Sequence, residues 1–89
     1  MEEIRTVQIV NRAGLHARPA AELVKLVVSF SAEIWLSKDG MDVNGKSILG
    51  ALMLAAEHGS QLTIRCVGDD ASPAADALAD LISRGFEEA

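Results

Sequence analysis

Asn11-Arg12-Ala13-Gly14-Leu15-His16-Ala17-Arg18-Pro19-Ala20-Ala21 sets a histidine at the mouth of a helix, an arginine two residues on, and a proline where a first helical turn accepts one. Proline has no N–H to donate and a preset φ, so it suits an early helical position and leaves the neighbouring amides pointing outward. The His16 side chain is therefore expected to face unbonded N–H donors, with the positive end of a helix dipole behind them. Such a place holds an anion, and the anion best matched to a nucleophilic imidazole is a phosphoryl group. A histidine at a helix start is more often a simple cap, and an arginine beside it a solvated helix residue. Gly14 ahead of His16 and Pro19 behind it favour the chemical reading of the histidine, and His16 beside it favours that of Arg18.

Outward from this stretch, periodicity assembles a layered fold. Upstream, residues 5–10 place Val7 and Ile9 in alternation with polar neighbours, a first strand. Downstream, Ala20, Leu23, Val24, Val27 and Phe30 recur at helical spacing, with Glu22 and Lys25 opposite, so the helix runs from Ala17 to about Ser29. Residues 32–37 alternate again, Lys38-Asp39-Gly40 turns, and residues 41–43 return as a hairpin. Asn44-Gly45 turns once more, and Ser47 opens a helix read to Ala56, with Gly59 as its stop. Leu62, Ile64 and Cys66 share one face of a fourth strand over 60–67. Ser72-Pro73 is read as the cap and first turn of a last helix, with Ala75, Leu78, Leu81 and Ile82 as its buried stripe and Gly85 beyond its end. The order βαββαβα predicts an α+β layer pair, a sheet with its helices on one side.

The 89 residues suit one small domain spanning residues 1–89. The longest uncharged apolar or small run, residues 48–56, is far too short to span a bilayer, no basic-then-apolar leader opens the chain, and a cytoplasmic protein is expected. The formal charge of −5 argues against nucleic acid. Its distribution says more: acids and bases cancel through residue 68, whereas Asp69, Asp70, Asp76, Asp80, Glu87 and Glu88 beyond it face only Arg84. The His16 region is thus free of the acidic excess, as an anion site requires. Cys66 alternates with Leu62 and Ile64, which points to core packing rather than redox chemistry. Two histidines and one cysteine so dispersed offer no ligand spacing, so neither metal nor cofactor is expected.

Taken together, the His16 loop, the stretch Asn44-Gly45-Lys46-Ser47-Ile48-Leu49-Gly50 about thirty residues later, and the element order resemble the HPr family, the histidine-containing phosphocarriers of the bacterial phosphoenolpyruvate-dependent phosphotransferase system. The resemblance covers essentially the whole chain, and it implies an open-faced β-sandwich: a four-stranded antiparallel sheet covered on one face by three helices. Gly45-Lys46-Ser47 is not read as a nucleotide P-loop, since no glycine stands four residues before Gly45, where Met41 lies, and no NTP site is expected.

The resemblance also implies roles. His16 is similar to the histidine phosphorylated on Nδ1, which accepts a phosphoryl group from enzyme I and passes it to an EIIA-type acceptor. It makes the protein a carrier with a phosphohistidine intermediate rather than a free-standing enzyme. The amides of the helix start, with Ala17 among their residues, then hold the phosphoryl oxygens. Arg18 resembles the family's active-site arginine, whose planar fork grips phosphoryl oxygens during transfer. Ser47 resembles the serine modified by HPr kinase/phosphorylase; by spacing alone an N-cap explains it equally well, and the family match favours modification. Ala17, Ala21, Lys25, Ile48, Leu49 and Leu52 correspond to a shared partner patch. Val28 stands where enteric members carry a basic residue, which implies weaker electrostatic steering. His58, read as lying at the C-terminal end of the second helix, is assigned no chemistry. A monomer is the simplest state for a shuttle presenting one face in turn. The alternatives are a nitrogen-branch carrier, a regulatory effector acting by protein binding, or, more remotely, a small-molecule or metal-chaperone domain.

Overall fold

A computed structural model describes residues 1–87. The elements follow in the order β1 (Glu2–Gln8), α1 (Ala17–Val27), β2 (Glu33–Lys38), β3 (Met41–Asn44), α2 (Ile48–Met53), β4 (Gln61–Val67) and α3 (Ala71–Ser83), closed by a 3-10 turn over Gly85–Glu87. The sheet runs β1-β4-β2-β3, antiparallel throughout, so the two strands joined by a hairpin lie at one edge and the first strand at the other. The hairpin turn needs left-handed backbone at both central positions, and Asp39 (φ +50°) and Gly40 (φ +84°) supply it.

Alternation in the strands sets the layers. Ile34 and Leu36 of β2 and Leu62, Ile64 and Cys66 of β4 are buried, while Glu33, Gln61 and their alternates face the open side. Leu23 and Val27 from α1 and Ala74, Ala75, Leu78 and Ile82 from α3 complete the same core. Each fully buried leucine or isoleucine there contributes roughly 1.5–3 kcal/mol. Cys66 has no exposed surface, and burial pushes its thiol above the ordinary value, which keeps it protonated and inert. Among the described residues no helix is long and apolar enough to cross a membrane.

Three expectations need correction. The helix after Ser47 stops at Met53 rather than Ala56, because Ala55 turns left-handed (φ +50°) and the chain bonds back to the loop ahead of α1: Leu15 N donates to Ala56 O at 2.7 Å and Gly59 N to Ile9 O at 2.8 Å. His58 accordingly lies in that loop rather than at a helix C-terminus, beyond the reach of a helix dipole. The cap of α3 is Asp70, two residues before Ser72, and its carboxylate bonds elsewhere, accepting from Ser31 N and Ala32 N at 2.8 Å each. Smaller shifts affect β1, which starts at Glu2, and α1, which ends at Val27. Leu81 is half-buried rather than part of the sealed stripe.

The spacing ground for excluding a nucleotide P-loop is also corrected: the pattern needs its first glycine five residues before Gly45, and Gly40 stands there, so it is the strand that excludes the loop. Four residues between the two glycines are the strand β3, paired with β2, and Gly40 sits in the hairpin turn, so no loop is left to wrap a phosphate.

Candidate functional site

The loop before α1 is built to hold His16 still. Asn11 is buried, its Nδ2 donates to Gly14 O at 2.8 Å, and Gly14 N donates to Asn11 O at 3.1 Å, closing a turn with Arg12 and Ala13 at its corner. Gly14 has φ +72°, and a Cβ there would stand 2.7 Å from Ala56 O, so only glycine fits. Leu15 points into the core with 4% exposure. His16 comes next, exposed, as the N-cap of α1 with extended backbone (φ −91°, ψ −168°).

The ring of His16 makes no cap hydrogen bond to its own helix. Its carbonyl accepts the first helical bond, from Ala20 N at 2.9 Å, while the amides of Ala17 and Arg18 have no backbone acceptor among the described residues. Pro19, buried as the third residue of α1, removes a donor that a helix start could not have satisfied. Two N–H groups and the helix dipole are thus presented beside the imidazole.

A cleft of about 550 Å3 opens there, lined by Arg12, Ala13, His16, Arg18, Pro19, Glu22, Phe86 and Glu87. Arg5, Arg65 and Arg84 are held in ion pairs with Glu3 and Asp76, with Glu2, and with Asp80 and Glu87 respectively. Arg12 and Arg18 make no ion pair among the described residues. The two guanidinium groups without an ion pair among the described residues both line the cleft.

At the second helix start, Ser47 is the N-cap of α2 and its Oγ accepts from Gly50 N at 3.0 Å. This short helix turns only Ala51 inward, and Leu54 follows as its buried C-cap residue; Ile48, Leu49, Leu52 and Met53 are all exposed, by 44, 68, 36 and 59%. Helix α2 packs on α1, where Ala17, Ala21 and Lys25 are likewise exposed. The residues expected to form a partner patch are therefore all accessible, and Val28 at 57% exposure extends the apolar surface along α1. Sequence reading missed Arg12 and the Phe86–Glu87 wall of the cleft. Arg12 precedes the helix and carries no motif, and Phe86 and Glu87 reach the site only through a left-handed turn (φ +55° and +61°) that composition does not signal.

The family model for the PTS HPr component phosphorylation site matches residues 4–84. The chain belongs to the HPr family of phosphotransferase-system phosphocarriers. Phosphocarrier protein HPr of Treponema pallidum is 42% identical over 85 residues, covering 96% of this chain and 97% of that one. Phosphocarrier protein NPr of Proteus mirabilis is 39% identical over 89 residues, covering 99% of each. The crystal structure of HPr-C-His from Thermoanaerobacter tengcongensis matches with a TM-score of 0.94 at 42% identity, covering 98% of both chains. A structure of an HPr dimer from the same organism matches with a TM-score of 0.78 at 44% identity, over 99% of this chain and 100% of that one. The α+β architecture, with its four-stranded antiparallel sheet and three helices, is that of HPr structures.

Proposed function

We propose that His16 is the residue that carries the phosphoryl group, taking it from phospho-enzyme I and giving it to an EIIA-type acceptor. In each transfer the phosphorus–nitrogen bond on the donor breaks as one forms to Nδ1 of His16, and the reverse occurs on delivery. The observation that carries this reading is the exposed N-cap His16 beside two amides without a backbone acceptor, and an Arg18 without an ion pair, among the described residues. The amides and the guanidinium stay in place for unloaded and loaded ring alike, which suits a carrier whose transfers run close to balance. Arg18 grips phosphoryl oxygens as charge moves between donor and acceptor.

The exposed residues Ala17, Ala21, Lys25, Ile48, Leu49 and Leu52 form the docking face for successive partners, with Met53 and Val28 widening it. Ser47 is the regulatory position: a phosphate there adds about −1.5 to −2 charges at a helix start, tolerable for α2 but hostile to an acidic partner. The protein works as a cytoplasmic monomer of one domain, without metal or cofactor, and light scattering of the purified chain gives its mass in solution.

Incubation with phosphoenolpyruvate and enzyme I, followed by intact mass spectrometry, is expected to add one acid-labile phosphoryl group that His16→Ala abolishes. An acid-stable adduct, or one retained in His16→Ala, overturns the assignment.

A further inference from the structure

We propose that Arg12 is a second phosphoryl-binding guanidinium, closing on the loaded His16 from the side opposite Arg18; the proposal rests on His16 being the phosphorylated residue. Arg12 occupies the first corner position of the turn pinned at both ends by the Asn11–Gly14 hydrogen bonds, so its Cα is fixed relative to His16 while its side chain stays exposed. It lines the same cleft as His16 and Arg18. It makes no ion pair or side-chain hydrogen bond among the described residues, unlike Arg5, Arg65 and Arg84.

The charges of the cleft make the case specific. Between Glu3 and Glu33 the only acid is Glu22, which stands four residues beyond Arg18 on the same face of α1 and is a nearby counter-charge for that arginine. The other carboxylate, Glu87, is bonded to Arg84. Arg12 is left as the cation without a neighbouring acid on its own segment. A phosphoryl group on Nδ1 brings two negative charges and three acceptor oxygens. The amides of Ala17 and Arg18 and the Arg18 fork approach from the helix side, and an oxygen turned toward the loop meets Arg12. The planar fork, rather than positive charge alone, satisfies it.

Arg12 then stabilises the loaded state relative to the unloaded one, which an exchange equilibrium reads directly. Phosphorylated wild-type protein is mixed with unphosphorylated Arg12→Gln, catalytic enzyme I is added to shuttle phosphoryl groups between them, and intact mass spectrometry gives the final distribution. The expected distribution favours the wild type by about three- to tenfold, the size of a partly exposed charge-assisted contact. Arg12→Lys is expected to fall between the two, and Arg65→Gln, which removes the same charge on the open face of the sheet, to share phosphoryl groups evenly with wild type. An even distribution for Arg12→Gln, or a bias that Arg65→Gln reproduces, overturns the proposal. So does a variant that loads more slowly at low salt yet equilibrates evenly, since that makes Arg12 a docking charge. Failure of wild type itself to load refutes the reading of His16 instead, so the two outcomes remain separate.

Discussion

The helix starts at His16 and Ser47 lie on adjacent, packed helices and use the same backbone device in opposite ways. Ser47 turns its oxygen onto Gly50 N and satisfies one orphan amide of α2. His16 makes no such bond, and the amides of Ala17 and Arg18 have no backbone acceptor among the described residues. A cap that serves its own helix is worth about 1 kcal/mol, and α1 forgoes that stabilisation at the position where an anion would be received. The helix compensates through tertiary packing, with Pro19, Ala20, Leu23 and Val27 buried.

The largest effect comes from making the first start resemble the second. His16→Ser installs a true cap and is expected to abolish phosphoryl acceptance completely while raising stability by about 0.5–1 kcal/mol. Mass spectrometry after loading and urea unfolding measure the two halves of the prediction. A variant less stable than wild type would show that the imidazole itself supports the fold and would remove the contrast.

Next in size is Gly14→Ala, which tests whether the loop is held as rigidly as its bonds suggest. The new side chain must adopt φ +72° and meet Ala56 O at 2.7 Å and Glu57 Cα at 2.8 Å. Left-handed backbone alone costs about 1–2 kcal/mol, and displacing backbone adds to it, so a loss of about 2–4 kcal/mol is expected in denaturant melts. Phosphoryl acceptance should fall as well, because Leu15 N is tied to Ala56 O immediately before His16. A loss under about 1 kcal/mol would mean that the loop yields easily.

Ser47 sharpens the comparison from the other side. Ser47→Ala is expected to cost about 1 kcal/mol with acceptance at His16 nearly unchanged, whereas Ser47→Asp keeps a capping oxygen and should retain stability while slowing transfer from enzyme I. If the aspartate variant accepts phosphoryl groups at the unmodified rate, Ser47 is a cap alone.

How much of this was legible in the sequence follows from which forces are local. Val7, Leu23, Leu62 and Leu78 declare their elements by period, since burial on one face imposes it, and His16-Ala17-Arg18-Pro19 declares a helix start because proline and the missing amide bonds act within a few residues. The early end of α2 was not legible, because Ala56 O is drawn off by Leu15, some forty residues away in the chain. Arg12 was missed for a related reason: its importance lies in lacking the partners that Arg5, Arg65 and Arg84 find, and pairing is a property of the folded surface. The cap of α3 was misplaced because Ser72-Pro73 carries the stronger local signal, while Asp70 earns its place by a contact across the fold.

Asp70 supplies the smallest expected effect and a third way to use a helix start: its carboxylate neither caps its own helix nor waits for a ligand, but ties the turn after α1 to α3. Backbone N–H groups of Ser31, then of Ala32, stabilise the ionised form and hold the carboxyl below its ordinary value of 3.8, against the opposing effect of desolvation. A carboxyl lowered by folding contributes stability that is fully present above the unfolded value and disappears as pH falls through the folded one. The contribution is therefore constant at neutral pH and is lost below about pH 4. Asp70→Asn should lower the urea midpoint slightly at pH 7 and give a shallower decline than wild type between neutrality and acid, so that the two curves converge at low pH. Parallel curves would show that the acid limb belongs to other carboxylates and that the bonds to Ser31 and Ala32 do not depend on charge.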